Sequence, residues 1–269
     1  MSQSSRLQEK VAIVTGSSSG MGRAIAIRYA QEGAKVICAD LTPTARSQEE
    51  AEITTHDLII RDGGQASFVQ TDVGDAVQME NLIQSAVRQH GRLDILVNNA
   101  GISLESRTPA LLHLTDETIW ETTMRINAKS VFLGCKYALA QMLAQEPHPS
   151  GDRGWIINIS SIMSMVGGPE LPSYCASKGA VSSLTRQIAL DYGPHNIHIN
   201  AICPGYTQTA MFKETVANSV PLEDLRRRHP LKGPGLPEDI ACLAVMFASD
   251  DANWLTGVCL PVDGGYTVR

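Results

Sequence analysis

The strongest structural pattern in the sequence lies near its start and reads Val11-Ala12-Ile13-Val14-Thr15-Gly16-Ser17-Ser18-Ser19-Gly20-Met21-Gly22. Its first five residues form an apolar, mostly β-branched run that predicts a strand, and a helical pattern begins at Met21. Glycines between the two let the chain turn sharply and let a phosphate approach backbone N–H groups at the helix N-terminus. We therefore predict a dinucleotide-binding turn whose contact residues are Gly16, Ser17, Ser19, Gly20, Met21 and Gly22.

Two other interpretations of this turn stay open. The spacing is Gly-x-x-x-Gly-x-Gly, and no Gly-Lys-Ser/Thr follows, which excludes a phosphate-loop nucleoside triphosphatase. Residues 16–20 also match Gly-x-Ser-x-Gly, the nucleophile turn of α/β-hydrolases, in which Ser18 would be the nucleophile. That enzyme needs a histidine at a later strand end, whereas His195 and His198 flank a helix-to-strand turn and His229 lies in an irregular segment. The second alternative is a tight turn that binds no ligand.

The alternation of strand and helix patterns continues along the chain and predicts the fold. Strands are predicted over 11–15, 35–40, 67–71, 93–98, 155–160, 197–202 and 258–262. Helices are predicted over 21–32, 45–61, 75–90, 116–145, 173–192 and 237–249. Continuous apolar strands between helices are typical of a parallel sheet covered on both faces, and right-handed crossovers make it doubly wound. We expect one α/β domain over 1–269, with seven strands and a substrate lid around 208–237.

Composition limits the classes of function. The 269 residues are 43% hydrophobic and carry a net charge of −6, so nothing electrostatic favours nucleic acid or an anionic membrane as a partner. No apolar run approaches the roughly 18 residues of a membrane span. The start of the chain lacks an apolar segment typical of a signal peptide. The six scattered cysteines form no Cys-x-x-Cys pair, so we expect reduced thiols in a cytoplasmic protein and no structural zinc.

The end of the second strand predicts the identity of the dinucleotide. Asp40 follows Gly22 by 18 residues, where a carboxylate can accept hydrogen bonds from the adenosine ribose and repel a 2′-phosphate. Arg46 is assigned to the next helix, so no cation is expected beside Asp40 and Leu41. A charge-assisted hydrogen bond contributes about 1.5–3 kcal/mol, which favours NAD(H) over NADP(H) by about tenfold or more. After the third strand, Asp72 and Val73 fit contacts with the adenine.

A tyrosine and a lysine in the second half of the chain predict acid–base chemistry. Tyr174 and Lys178 lie four residues apart in a predicted helix and therefore share one helical face. A free tyrosine has a pKa of about 10, so a base near neutrality needs a shift of about three units. A neighbouring ammonium, helped by a cationic nicotinamide, would lower the pKa in this direction. Taken alone, such a pair is usually structural.

Several polar clusters accompany this pair at the predicted carboxyl ends of strands, where doubly wound folds bind their ligands. They are Asn98-Asn99-Ala100-Gly101, Ser160-Ser161 and Pro204-Gly205-Tyr206-Thr207-Gln208-Thr209. With the glycine turn and Tyr-x-x-x-Lys, these motifs make the sequence resemble a short-chain dehydrogenase/reductase of the common type. The resemblance runs from Val11 to the Val262-Asp263-Gly264-Gly265 end.

The resemblance implies a role for each matched residue. Tyr174 would be the general acid/base, Lys178 would lower its pKa and hold the nicotinamide ribose, and Ser161 would orient the reacting oxygen. Asn127 would anchor a water relay to the lysine. The remaining residues implied to contact the cofactor are Asn98, Ala100, Gly101, Pro204, Gly205, Thr207 and Thr209. No metal is required for hydride transfer, and the family implies a homotetramer built on helix faces within 116–145 and 173–192.

The substrate is the least specified part of the prediction. Apolar residues near the serine and in the lid, such as Ile162, Met163 and Met211, favour a neutral secondary alcohol or ketone, and no arginine is expected where it could pair with a carboxylate. A non-redox relative on the same fold, either an epimerase or dehydratase or a cofactor-binding scaffold, is the alternative function. Residues 42–53 look longer than is usual in the family and are expected to form a larger loop or a longer helix near the adenosine.

Overall fold

A single parallel sheet organises the part of the chain that the computed structural model describes, residues 5–48 and 50–268. The strands are β1 (Val11–Thr15), β2 (Lys35–Asp40), β3 (Gln65–Gln70), β4 (Ile95–Asn98), β5 (Gly154–Ile159), β6 (Ile197–Pro204) and β7 (Cys259–Val262). They pair in the order β3-β2-β1-β4-β5-β6-β7, and all pairs are parallel. This confirms the predicted doubly wound sheet, and each strand lies within two residues of its predicted bounds.

Helices connect the strands and cover both faces of the sheet. They are α1 (Gly20–Gln31), α2 (Thr55–Arg61), α3 (Ala76–His90), α4 (Glu117–Met124), α5 (Ser130–Ala144), α6 (Pro172–Tyr192), α7 (Ala210–Asn218), α8 (Leu222–Arg228) and α9 (Pro237–Phe247). The central strand β1 is buried along its whole length, because its side chains alternate between the two layers. Ala12 and Val14 pack with α1 and α9, whereas Val11 and Ile13 pack with α3, α5 and α6.

Local sequence explains where individual helices begin and end. The Asp75 carboxylate accepts a hydrogen bond from the Gln78 N–H at 2.9 Å and starts α3, which ends at Gly91 with a φ of +79°. Pro172 starts α6, where its missing N–H costs nothing. These capped helices hold the loops at the carboxyl edge of the sheet in fixed positions. No helix in the described ranges is long and apolar enough to cross a membrane.

Two predicted elements differ from the structure. The helix predicted over 45–61 is wrong at 45–48 and 50–54, which form turns, bends or irregular backbone, because α2 begins only at Thr55. The Thr54 hydroxyl caps α2 by accepting the Asp57 N–H. The predicted helix over 116–145 is continuous from 117 to 144, but a π-helical turn at Arg125–Lys129 joins α4 to α5. The segment 208–237 is less irregular than predicted, since it contains α7 and α8.

Candidate active site

Two adjoining cavities open at the carboxyl edge of the sheet. The first, which we call the glycine cleft, has a volume of about 1320 Å³ and lies over the turn between β1 and α1. The second, which we call the apolar pocket, has a volume of about 990 Å³ and lies between β5, β6 and the helices α7 and α8. Tyr174 lines both cavities, so a group bound in one can meet a group bound in the other at this side chain.

The structure brings most of the predicted site residues to these cavities. Those lining the glycine cleft are Gly16, Ser19, Gly20, Met21, Gly22, Asp40, Leu41, Asp72, Val73, Ala100, Gly101, Tyr174, Lys178 and Thr209. Those lining the apolar pocket include Ser161, Tyr174, Pro204, Gly205, Thr207 and Thr209. Ser17, Asn98 and Asn127 are buried and line neither cavity.

The glycine turn is held by close packing against the loop after β4. Gly16 has a φ of +65°, and a Cβ there would lie 2.8 Å from the Ala100 Cα. A Cβ on Gly22 would lie 2.1 Å from the Gly16 carbonyl oxygen. The Asn99 amide donates hydrogen bonds to the carbonyls of Thr15 and Gly16. Larger residues at both glycines would therefore disrupt the turn even before any ligand is considered.

The N-terminus of α1 is built to receive an anion. The N-cap residue Ser19 makes no side-chain capping bond, so its side chain leaves the first N–H groups of the helix to other acceptors. The Gly20 N–H donates to both carboxylate oxygens of Glu50, at 3.1 and 3.3 Å, and the Ser47 hydroxyl supports that carboxylate. An anionic oxygen thus already lies where helix N-termini bind phosphate, which fits a dinucleotide diphosphate. Glu50 lies in the turns that replace the predicted start of α2.

The adenosine end of the cleft carries both signs of charge. Asp40 ends β2, and its carboxylate accepts the Ser18 N–H at 3.1 Å and the Leu41 N–H at 2.8 Å. Arg46 lines the same cleft, because its segment forms turns instead of the predicted helix. Arg46 was expected in the next helix and instead lines the cleft, although no hydrogen bond or ion pair in the described residues joins it to Asp40.

Asp72 is engaged by a partner that the sequence did not indicate. Its carboxylate pairs with the Arg125 guanidinium at 2.9 Å and accepts the Gly74 N–H, while Val73 is buried beside it. Burial raises the pKa of Asp72, but the hydrogen bonds from Arg125 and Gly74 outweigh burial and hold the pKa below its ordinary value. The ionised carboxylate fixes the loop after β3 to the π-helical turn.

Tyr174 and Lys178 lie on one face of α6, as their spacing predicts. The Lys178 Nζ donates to the Ile159 carbonyl at 2.8 Å and lies 5.7 Å from the centre of the Tyr174 ring. Burial lowers the pKa of Lys178 to about 8. Burial also raises the pKa of Tyr174 to about 12, although the facing Ser161 hydroxyl lowers it. At neutral pH the phenol is therefore protonated and the ammonium is charged.

The two neighbouring serines after β5 have different surroundings. The Ser160 hydroxyl donates to the Lys178 carbonyl at 3.0 Å and contacts the Ser182 hydroxyl at 2.8 Å. The Ser161 hydroxyl accepts the Met163 N–H at 3.1 Å and faces the phenol of Tyr174. Both serines line the apolar pocket, but Ser161 is the one whose hydroxyl faces the phenol of Tyr174.

Asn127 lies in the π-helical turn, directly behind the lysine. Its amide oxygen accepts the Ile102 N–H at 2.8 Å, and its amide nitrogen donates to the Ile102 carbonyl and the Ser177 hydroxyl. A Cβ on Gly101 would lie 3.3 Å from the Asn127 oxygen and 3.6 Å from the Lys178 Nζ. The wide turn thus places the amide against the backbone beside Lys178 without exposing it to either cavity.

Glu105 is a functional-site residue that sequence reasoning missed. It is almost fully buried, and its two carboxylate oxygens accept the N–H groups of Ser173 and Tyr174, each at 2.9 Å. A carboxyl side chain from a distant loop therefore caps the helix that carries Tyr174. The sequence gives no sign of this contact, since Glu105 and Tyr174 are 69 residues apart.

Three other predicted residues have mainly structural contacts. The Asn98 amide donates to the Asn158 amide oxygen at 2.9 Å inside the sheet, and the Ser17 hydroxyl donates to the Ala39 carbonyl. The neighbouring residue Asn99, which was not predicted, is the asparagine that lines the glycine cleft. The Ser18 hydroxyl donates to the Thr42 carbonyl at 2.6 Å, with no histidine bonded to it in the described ranges, which does not fit a hydrolase nucleophile.

The apolar pocket is closed on its outer side by the segment containing α7 and α8. Met211 and Phe212 line it as predicted, and so does Arg228, which the sequence did not place there. The Arg107 guanidinium binds both carboxylate oxygens of Glu214, at 2.9 and 2.7 Å, and connects α7 to the loop after β4. Because Arg228 lines this pocket, the expectation that no arginine lies where it could pair with a carboxylate is wrong.

Comparison with known proteins agrees with this geometry. The family model described as enoyl-(acyl carrier protein) reductase matches residues 16–267. The 2-(S)-hydroxypropyl-CoM dehydrogenase 3 of Xanthobacter autotrophicus is 37% identical over 98% of this chain and 99% of its own. A short-chain type dehydrogenase/reductase from Mycobacterium marinum superposes with a TM-score of 0.86 at 28% identity, over 99% of this chain and 98% of that one. A candidate 2-deoxy-D-gluconate 3-dehydrogenase from Agrobacterium tumefaciens with bound NADP has a TM-score of 0.84 and 34% identity, over 99% and 100% of the two chains.

The sheet and the matches over nearly the whole chain define the class of protein: an oxidoreductase that uses a nicotinamide dinucleotide. The chain belongs to the short-chain dehydrogenase/reductase family, as its motifs predicted. It is thus an NAD(P)-dependent enzyme for alcohol- or ketone-like substrates.

Proposed function

We propose that the protein interconverts a secondary alcohol and a ketone with NAD(H), using Tyr174 as the general acid/base. The observation that carries this proposal is the position of Tyr174, which lines both the glycine cleft and the apolar pocket. A proton-transferring group must lie between the cofactor site and the substrate oxygen, and no other tyrosine in the described ranges lines both cavities.

Within this proposal each residue of the chain has a definite task. The nicotinamide, when bound, accepts or donates the hydride at the substrate carbon. The Tyr174 phenol gives its proton to the substrate oxygen on reduction and takes it back on oxidation, and the Ser161 hydroxyl holds that oxygen beside it. The Lys178 ammonium favours the phenolate and holds a ribose hydroxyl, while Asn127 fixes the backbone behind it. The apolar pocket lining excludes water.

We propose NAD(H) as the preferred cofactor. Asp40 supports the preference, since its carboxylate lines the cleft and would repel a 2′-phosphate. Arg46 lines the same cleft and works in the opposite direction, because a guanidinium binds phosphate well. The Asp40 carboxylate is held by two backbone N–H groups, whereas Arg46 is exposed, so the fixed charge dominates.

The wider organisation is also proposed here. Segment 208–237 acts as the substrate lid of a single-domain protein, and copies of the chain form a homotetramer. Exposed apolar side chains on the predicted helix faces support the tetramer: Trp120 on α4, Phe132 on α5 and Leu190 on α6. Light scattering is expected to give four times the chain mass of 29.0 kDa. The six free thiols support the cytoplasm as its compartment.

The proposed function is tested by spectroscopy and one matched pair of variants. The protein is mixed with NAD⁺ and a panel of secondary alcohols, and NADH formation is followed at about 340 nm. Tyr174→Phe is expected to lower kcat by about 10²- to 10⁴-fold, because it removes the acid/base. The Kd of NADH should stay the same, and Tyr137→Phe, outside both cavities, should leave kcat unchanged. Activity that survives in Tyr174→Phe would contradict the proposal.

A further inference from the structure

We infer that the substrate carries a carboxylate and that Arg228 binds it in the apolar pocket, at the end remote from Tyr174. The inference rests on the proposed function, because it assigns a substrate class to the same site. It replaces the neutral substrate expected from the sequence, since that expectation depended on there being no arginine near the site. Arg228 would select among ketones and alcohols without taking part in proton transfer.

The three consecutive arginines at the end of α8 have different surroundings. Arg226 pairs with Glu223 at 3.8 Å, and Arg227 pairs with Asp224, in both cases three residues back along the helix. Arg228 lies on another side of α8 and lines the apolar pocket, where it is only partly exposed. Among residues 5–48 and 50–268 it has no ion pair. The two outward arginines are neutralised, whereas the one facing the pocket is not.

The surroundings of Arg228 make an anionic ligand the best partner for it. The pocket wall is largely apolar, with Met163, Leu171 and Phe212 among its residues. A guanidinium beside apolar surface loses water contacts, and a carboxylate replaces them with two parallel charge-assisted hydrogen bonds. Burial raises the pKa of Tyr206, another pocket residue, to about 12, and the positive charge of Arg228 acts in the opposite direction.

The carboxylates of the protein leave this position open. Glu170 is the other charged residue among those described as lining the pocket; it is exposed to solvent and does not pair with Arg228. Glu214 lies on the neighbouring helix α7, but both of its oxygens are bound by Arg107. An anion between Arg228 and the apolar wall would therefore have to come from the substrate.

The position of Arg228 predicts a bifunctional substrate. Its reacting oxygen would lie at Ser161 and Tyr174, beside the sheet, while α8 approaches the pocket from the lid. We expect an apolar spacer to join the two ends, since most of the side chains that line the pocket are apolar. A keto acid, or the corresponding hydroxy acid, has this form. Because Arg228 belongs to the lid segment, binding of the carboxylate would also hold the lid against the substrate.

The test compares keto acids with their methyl esters, which have the same body without the charge. The probes are 3-oxobutanoate, 4-oxopentanoate and 5-oxohexanoate, each reduced with NADH beside its methyl ester. For at least one chain length the acid is expected to exceed its ester about tenfold or more in kcat/KM. Arg228→Gln is expected to remove that preference, mainly by raising KM for the acid, while the ester is reduced as before. Arg227→Gln is the matched control and should keep the preference.

Two results would overturn the inference: esters equal or exceed the acids at all three lengths, or Arg228→Gln slows acids and esters equally. A binding measurement separates this inference from the proposed function. Keto acids are titrated calorimetrically into the NAD⁺-loaded protein, in which the ketone cannot be reduced, so the heat reports binding alone. Binding that is lost in Arg228→Gln, without any turnover, supports the inference and contradicts the proposed function. The inference is also overturned if none of the acids binds at concentrations up to about 10 mM, where even weak ligands bind.

Discussion

The glycine cleft and the apolar pocket share Tyr174, but they are built in different ways. Much of the cleft is formed by loops that directly follow β1, β2, β3 and β4, so these residues lie at the edge of the sheet by topology, and α6, the π-helical turn and the start of α7 complete it. The pocket takes its outer wall from α7 and α8 and from the loops at 103–109 and 162–171. The first cavity therefore follows from the fold, whereas the second depends on how separate segments pack against it.

This difference explains which kinds of contact form each cavity. The glycine turn needs small residues and backbone N–H groups, as Gly16 and Gly20 show. The pocket needs side chains that reach across from other segments, such as Glu105 to α6 and Arg107 to Glu214. A changed residue in the cleft should alter cofactor binding, and one in the pocket should alter catalysis or substrate choice. The following experiments test this separation.

The largest expected effect concerns Tyr174, which lines both cavities, and Lys178 beside it in the glycine cleft. Oxidation needs the phenolate of Tyr174 and the ammonium of Lys178, whose pKa values are about 12 and about 8. The phenolate fraction rises with pH, but the ammonium fraction falls above the pKa of Lys178. The rate of alcohol oxidation is therefore expected to rise about tenfold per pH unit and to level off near or below pH 8, because the cationic nicotinamide lowers both pKa values. Ketone reduction, which uses the protonated phenol, should not rise.

The measurement is kcat/KM in both directions over about pH 6 to pH 10, with Lys178→Arg as the control. Arginine keeps its charge over this range, so the levelling should disappear in that variant if the protein accommodates it. An oxidation rate that keeps rising beyond pH 9 in the natural protein would show that the charge of Lys178 is not needed.

Glu105 tests whether a pocket loop controls catalysis through helix position. Glu105→Ala removes two charge-assisted hydrogen bonds from the start of α6, and we expect a loss of stability of about 1–3 kcal/mol. We also expect kcat to fall about tenfold, because a less well positioned Tyr174 would raise the activation free energy by about 1.4 kcal/mol. The Kd of NADH should change little. Calorimetry, kinetics and NADH titration measure the three quantities, and Glu105→Gln, which keeps one acceptor, should be intermediate. An unchanged kcat would rule out the positioning role.

Asp40 tests the adenosine end of the cleft. Asp40→Asn keeps an acceptor for Ser18 N–H but removes the charge, so the ratio of NADPH to NADH affinity should rise about tenfold. Adding Arg46→Gln should reverse part of that rise, because the guanidinium would then be absent from the cleft. Fluorescence titration with both reduced cofactors measures the ratio. If the ratio of NADPH to NADH affinity does not change in Asp40→Asn, Asp40 does not determine the preference for NAD(H).

Glu50 gives the smallest expected effect. Its carboxylate occupies the Gly20 N–H that a diphosphate would use, so a bound cofactor must displace it. Glu50→Gln weakens this competing contact, and the Kd of NADH should fall about two- to tenfold, the equivalent of one ordinary hydrogen bond. The exposed Glu52→Gln is the matched control and should leave the Kd unchanged. Weaker NADH binding in Glu50→Gln would mean that the carboxylate organises the cleft instead of competing for it.

Much of the fold was predictable because its information is local. The apolar run of β1, the cap at Asp75 and the glycine at 91 each determine their own element, and parallel topology then brings the strand ends together. The residues that line the glycine cleft were therefore largely predicted from their places after strands. The spacing of Tyr174 and Lys178 was also predictive, since one helical turn puts them on the same face.

The remaining features depend on contacts between distant segments. Nothing local marks Glu105 as the cap of α6, or Arg228 as a residue of the pocket wall. The polar pattern over 45–54 looked helical, but the Glu50 side chain from this stretch instead accepts a hydrogen bond from the glycine turn. Asn98 and Asn99 are adjacent, and only the twist of the chain after β4 decides which of them turns toward the cleft.

The π-helical turn at Arg125–Lys129 limits how this enzyme can be re-engineered. A regular α-helix turns by about 100° per residue. Deleting one residue to make the helix over 117–144 regular would therefore rotate α5 by about that angle relative to α4. Phe132 would swing away from its present solvent-facing position, and the apolar side of α5 would turn out of the protein interior. Attempts to increase stability by regularising this helix should therefore fail, and the irregularity should be preserved in any redesigned descendant.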